Sequence, residues 1–118
     1  MAYSEELANR LRRAFAKKKG ITEKRMFGGL SFLLHGKMCC GVLKEILVVR
    51  VNPNDADEFL KKPYVRPMDF TGRPMKGFLY VSEGEYKTDR QLLEWVEYSI
   101  DFVSKNFQHE LKESGRFD

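Results

Sequence analysis

The side chains best suited to chemistry in this sequence are two adjacent cysteines, Cys39 and Cys40, with His35 shortly before them. A thiol becomes a nucleophile only where a neighbouring base or cation lowers its pKa, and His35 lies across a predicted hairpin turn from the pair. Neighbours in a strand point to opposite faces, so the two thiols cannot jointly hold a metal ion without distortion of the strand. We therefore interpret both as reduced hydrophobic residues, at least one of them buried, and predict no catalytic residue, no metal site and no cofactor.

Two segments rich in glycine, arginine and methionine favour binding over catalysis. The first, Arg25–Gly29, precedes an apolar strand, and the second, Gly72–Gly77, precedes another. Each combines a cation with large apolar groups, as protein-binding hot spots do, and loops often carry function. The alternative is that both loops only brace the sheet. The predicted binding patch contains Arg25, Met26, Phe27, Gly28, Gly29, Arg50, Arg73, Met75 and Lys76.

The positive charge of the chain is concentrated near its beginning. The net charge is +4, yet residues 1–25 hold eight lysines and arginines against three glutamates. Such a surplus either attracts polyanions or is an ordinary solvated helix surface. For nucleic acid we expect weak, salt-sensitive contact at most, with dissociation constants of about 10⁻⁴ to 10⁻⁶ M. The residues for this alternative are Arg10, Arg12, Arg13, Lys17, Lys18 and Lys19.

Local patterns predict an α+β fold with two layers and an antiparallel sheet of about five strands, in the order α-β-β-β-α-β-β-α. Ser4 caps the first helix, Asn52 starts a short one, and Thr88 with Gln91 forms a capping box for the last. His35 and Gly36 form a two-residue hairpin turn. The predicted strands are Leu30–Leu34, Lys37–Leu43, Glu45–Val51, Tyr64–Phe70 and Gly77–Ser82.

The central strands are apolar on both faces, whereas a half-exposed antiparallel sheet normally alternates apolar and polar residues. Val49 and Val48, for example, fall on opposite faces of the third strand. With only two substantial helices to cover the sheet, we predict a homodimer that buries part of the sheet or its edge.

Length and composition predict one domain over residues 1–110 with a frayed tail at residues 111–118. The beginning of the chain does not resemble a secretory signal, and no apolar run is long enough to span a membrane. We therefore expect a cytoplasmic protein.

Several of these segments together resemble the TfoX/Sxy N-terminal domain family: Arg25–Gly29, Gly36–Met38 and Gly72–Gly77, within a similarity that extends from the first helix to Trp95. The resemblance implies an α+β fold with an antiparallel sheet. Family members include bacterial regulators of natural competence, which act in transcription and carry a second, C-terminal domain that we expect this chain to lack. The resemblance transfers no catalytic residues.

Three functions remain open from the sequence. The first is a non-enzymatic regulatory domain that acts through contacts with an unidentified protein. The second is a nucleic-acid-associated regulator that uses the basic first helix. The third is a small-ligand sensor or enzyme with a site between the two glycine-rich loops.

Overall fold

The computed structural model describes the backbone of residues 3–26, 28–70 and 73–115, and the side chains at 3–25, 28–68 and 77–105. The helices are α1 (Glu5–Phe15), α2 (Ala56–Phe59) and α3 (Asp89–Gly115), with one 3₁₀ turn at Glu83–Glu85. The strands are β1 (Ile21–Met26), β2 (Gly29–Leu34), β3 (Lys37–Leu43), β4 (Ile46–Arg50), β5 (Val65–Phe70) and β6 (Arg73–Val81).

The six strands form one antiparallel sheet in the order β1-β2-β3-β4-β6-β5. The α+β class is confirmed, and the strand count is six where the sequence predicted about five. The additional strand is β1, whose residues 22–25 are all exposed and therefore show no apolar alternation. The segment Gly72–Gly77 is predicted as a loop from its glycines and proline, but its residues 73–77 are the beginning of β6.

Both long helices cover the same face of the sheet. Phe15 of α1 stacks on Phe32 of β2 with ring centroids 5.2 Å apart, and α3 packs against β3 and β4. The short α2 joins this layer through Phe59, whose ring lies 5.1 Å from that of Trp95. Burial of this apolar layer against the helices is the main favourable term holding the two layers together.

The opposite face of the sheet is also buried in part. Ser31, Leu33 and Val48 point away from the helices by strand alternation, yet all three are buried. Met68 of β5 is only 1% exposed and lines one small void with Val48 and Gly41. These central positions are thus already covered within one chain.

The local signals at the element ends are largely confirmed. The Ser4 hydroxyl accepts a hydrogen bond from the Leu7 amide, and Thr88 and Gln91 form the reciprocal capping box. His35 and Gly36 adopt φ of 50° and 83°, as a tight hairpin turn requires. The Asn52 side chain caps a turn, and the α2 helix begins only at Ala56.

Gly28 and Gly29 are required for two different reasons. Gly28 has φ of 78°, and a Cβ there would meet nothing within 4 Å. Gly29 lies against β3, and a Cβ there would collide with the backbone carbonyl oxygen of Val42. A backbone atom cannot move aside as a flexible side chain can, so a side chain at position 29 would separate β2 from β3.

We expect Gly29→Ala to lower the free energy of unfolding by about 3 kcal/mol, the upper end for overpacking. Gly28→Ala meets only the left-handed backbone penalty of about 1–2 kcal/mol. Urea unfolding followed by circular dichroism gives both values. A Gly29→Ala protein as stable as Gly28→Ala would contradict the close approach of β2 and β3.

Candidate functional site

The two cysteines are free and buried, and both belong to the core cluster on the helix side. Strand alternation predicts opposite faces, but a register shift between Phe32 and Leu33 leaves Cys39 as an extra residue in β3. The buried Ser99 hydroxyl donates a 2.7 Å hydrogen bond to the Cys39 carbonyl beside this bulge. Burial raises the pKa of Cys39 to about 11, and burial also raises the pKa of Cys40 well above its ordinary value. Neither thiol is therefore poised as a nucleophile at neutral pH.

The predicted loop patch falls partly outside the described residues. Phe27 is not described, and neither are the side chains of Met26, Arg73, Met75 and Lys76. Exposed Arg25 lies near the end of the sheet where β1 leads into β2, whereas β5 leads into β6 at the opposite end, which is also the end of the β2–β3 turn.

The sheet does not bring Arg25 and Arg50 together. Arg50 ends β4, three strands from β1 and toward the other end of the sheet. Its guanidinium lies 5.8 Å from the ring centroids of both Phe78 and Phe102, so it contacts β6 and α3 as a cation over two aromatic rings. The small void beside Gly29 is lined by Met68, which belongs to β5 and lies outside the Gly72–Gly77 segment.

Arg10, one of the six cations proposed for nucleic acid, is a structural residue. Its side chain is only 13% exposed. The guanidinium donates hydrogen bonds to the carbonyl oxygens of Tyr86 (2.9 Å) and Lys87 (3.2 Å), and it pairs with Asp89. Charge-assisted bonds of this kind fasten α1 to the segment that begins α3.

Arg12 and Lys18 are likewise engaged. Arg12 forms a two-pronged pair with Glu23 of β1, both contacts at 2.9 Å, and this bond lowers the pKa of Glu23. Lys18 pairs with Glu97 of α3 at 3.0 Å. Arg13, Lys17 and Lys19 are exposed and form no ion pair with the residues that the structure describes. The six cations proposed for nucleic acid, three in α1 and three just after it, therefore divide into three structural and three available ones.

Two of the available cations, Arg13 and Lys17, border a groove between α1 and α3, of about 410 Å³. Arg10–Asp89 and Lys18–Glu97 link the two helices at its two ends. Between these ion pairs the α1 side carries Arg13, Ala14 and Lys17, and the α3 side carries Leu92 and Leu93. Leu93 is 43% exposed, one of two large hydrophobic residues exposed in the described part of the chain. The groove thus joins an apolar strip to two uncompensated positive charges.

Sequence reasoning missed this groove. Leu92 of α3 is buried in the core, as the helical period indicates, whereas the neighbouring Leu93 is exposed. The sequence nevertheless contains a pattern that indicates the groove. Leu93 lies four residues after Asp89 and four before Glu97, so an apolar residue lies between two acids on one face of the helix. The acids pair with α1, and the leucine between them stays uncovered.

The cysteine geometry predicts slow alkylation. A pKa of about 11 for Cys39 makes its thiolate about a hundredfold rarer at pH 8 than that of an ordinary thiol. We expect iodoacetamide to label native protein at pH 8 at least about a hundredfold more slowly than protein in 6 M guanidinium. Labelling at comparable rates, measured by mass spectrometry, would contradict two buried thiols.

The cation contacts predict opposite outcomes for two neighbouring arginines. Arg10→Ala removes charge-assisted bonds to two carbonyl groups, and we expect a loss of about 1.5–3 kcal/mol in the free energy of unfolding. Arg13→Ala serves as the matched control and should change it by less than about 0.5 kcal/mol. Equal effects of the two substitutions in urea unfolding would show that Arg10 does not fasten α1.

Comparison with known proteins agrees with this architecture. Residues 13–103 match the model of the TfoX N-terminal domain. No curated protein matches the chain. Among the described residues, no helix is both long enough and apolar enough to cross a membrane. Since the family match covers more than half of the 118 residues, the chain belongs to the TfoX N-terminal domain family.

Proposed function

We propose that this protein is a small, non-enzymatic, cytoplasmic regulatory domain, similar to that of competence regulators, which acts by binding a partner protein. The α1–α3 groove is its docking site, and the occupant is an acidic amphipathic helix of the partner. Family membership supports the regulatory role. The groove, with Leu93 exposed between two interhelical ion pairs, is the observation that carries the proposal.

The charges of the groove favour an acidic partner. Arg10 with Asp89 and Lys18 with Glu97 are balanced pairs, so Arg13 and Lys17 leave the groove with two positive charges. A helix laid along such a groove places apolar residues on the Leu93 strip and carboxylates beside the two cations. The apolar contact supplies affinity, and the charges set orientation and the rate of association.

Nucleic acid is the second candidate, supported by the exposed Arg13, Lys17 and Lys19. Because Arg10, Arg12 and Lys18 already bind acids or carbonyl groups of the same chain, fewer phosphates can be neutralised than the sequence indicates. Each neutralised phosphate contributes to affinity and to its salt dependence. We therefore expect only weak DNA binding that falls steeply with salt. The third reading, a sensor or enzyme with a site between the two loops, has no described cavity that joins them.

A synthetic peptide tests the groove. One version carries leucines along one helical face and glutamates on the other, and the second version replaces every glutamate by lysine. We expect fluorescence anisotropy at physiological salt to show binding of the glutamate peptide and none of the lysine peptide. Arg13→Glu with Lys17→Glu should weaken binding at least about tenfold by reversing both charges.

The control is Lys61→Glu just after α2, a charge reversal at an exposed lysine outside the groove, whose ion pair among the described residues is with nearby Glu58. It should leave peptide binding unchanged. Equal loss in the control would indicate a non-specific charge effect. Tighter binding of a mixed-sequence DNA duplex than of the glutamate peptide would instead favour the nucleic-acid function.

A further inference from the structure

The outer edge of β1 carries an unused row of backbone hydrogen-bonding groups. In the described part of the chain β1 has a neighbouring strand on one side only. The His35 amide donates a 2.9 Å hydrogen bond to the Gly20 carbonyl, so the backbone groups of Gly20 point toward β2. Because backbone groups alternate in direction along a strand, the amides and carbonyls of Thr22 and Lys24 also point toward β2. The groups that point to the outer edge belong to Ile21, Glu23 and Arg25.

This edge lacks a proline and a bulge, two of the devices that keep an edge strand from pairing. Charged side chains are a third such device, and β1 carries Glu23, Lys24 and Arg25, so a strand that pairs here must match these charges. The opposite edge strand, β5, has both a proline, Pro67, and a register shift. In contrast, β1 pairs with β2 in unbroken register over all six residues and contains no proline.

The sequence of β1 is complementary to itself in one register. Two copies related by a twofold axis pair antiparallel, and directly opposed residues must lie on the same face of the joined sheet. With the axis at Lys24, Glu23 of each copy opposes Arg25 of the other, and both lie on the helix side. An axis at Glu23 or at Arg25 would instead oppose like charges, which is destabilising.

We propose that β1 is a homodimerisation edge, on which a second copy of this chain adds its own β1 antiparallel with Glu23 opposite Arg25. The joined sheet has twelve strands, and both helix layers lie on the same side. The backbone groups of Glu23 and Arg25 bond across the twofold axis, because both point outward. Glu23 keeps its bond to Arg12, since a carboxylate accepts several hydrogen bonds. The interface does not use the α1–α3 groove, so dimerisation and peptide binding are tested separately.

The axis carries one repulsive contact. Lys24 of each copy opposes its counterpart at the closely spaced, non-hydrogen-bonded position. Removal of this charge therefore strengthens the dimer, whereas reversal of the charge at Arg25 weakens it. Substitutions at adjacent residues of one strand are thus expected to have opposite effects, which a general loss of solubility or stability would not produce.

Sedimentation velocity at about 10–500 µM, the range suited to a small interface, gives the dissociation constant of the dimer and distinguishes it from the 13.8 kDa monomer. We expect Arg25→Glu to raise the dissociation constant at least about tenfold, since each change occurs twice in the dimer. Lys24→Thr should lower it about threefold. Arg66→Glu, an equal charge change on an exposed arginine of β5, is the control and should have no effect.

A mixing experiment identifies the register. The Arg25→Glu chain carries two carboxylates on its edge. The Glu23→Arg chain carries two guanidinium groups there, and it also carries Arg12→Glu, because Glu23 otherwise pairs with Arg12 of α1. Each should be monomeric alone, and an equal mixture should form a heterodimer with both charge pairs restored. Circular dichroism confirms that both chains are folded. A wild-type monomer throughout the concentration range, or a mixture that stays monomeric, would overturn the proposal.

Discussion

The placement of α1 depends on two of its arginines, which bind to two different parts of the fold. Arg12 holds α1 to the edge strand β1 through Glu23, and Arg10 holds it to the carbonyl groups that precede α3. The apolar side chains of α1 supply the burial, which has no direction, and the arginines supply the orientation. The groove exists because α1 and α3 are fixed side by side, with ion pairs at its ends.

The same contacts reduce the positive charge that is available to bind a partner. A cluster of six cations suggests a polyanion surface, but half of them satisfy acids or carbonyl groups of their own chain. What remains is a short row of cations beside an exposed leucine. A mixture of apolar and charged groups is typical of protein interfaces, whereas a phosphate surface needs more uncompensated charge.

Signals that act between neighbouring residues could be interpreted from the sequence. The Ser4 cap, the Thr88–Gln91 capping box and the His35–Gly36 turn involve residues at most three positions apart, and all are present. Glycine-rich segments were harder to assign, because Gly29 is needed where β3 comes close, which only the folded sheet reveals.

Features that depend on distant residues could not be predicted. Arg10 resembles any surface arginine of a helix until residues 86–89 fold back against it. No residue pattern in the sequence indicates the bulge that turns both cysteines toward the core. If alternation is counted along β3 from Met38, which lies opposite outward-facing Leu33, Cys40 would also face outward. The register shift places Cys40 opposite Phe32 instead, on the helix side. Strand β1 was missed because an exposed edge strand has no apolar period to detect.

We propose that this domain acts through contact surfaces, of which the β1 edge is the most specific. Residue-resolved amide hydrogen exchange at low and high protein concentration tests that edge directly. The amides of Thr22 and Lys24 face β2 and should be protected at both concentrations. We predict that the amides of Glu23 and Arg25 exchange quickly in dilute protein and become protected as the concentration rises. Fast exchange of Glu23 and Arg25 at both concentrations would contradict the account.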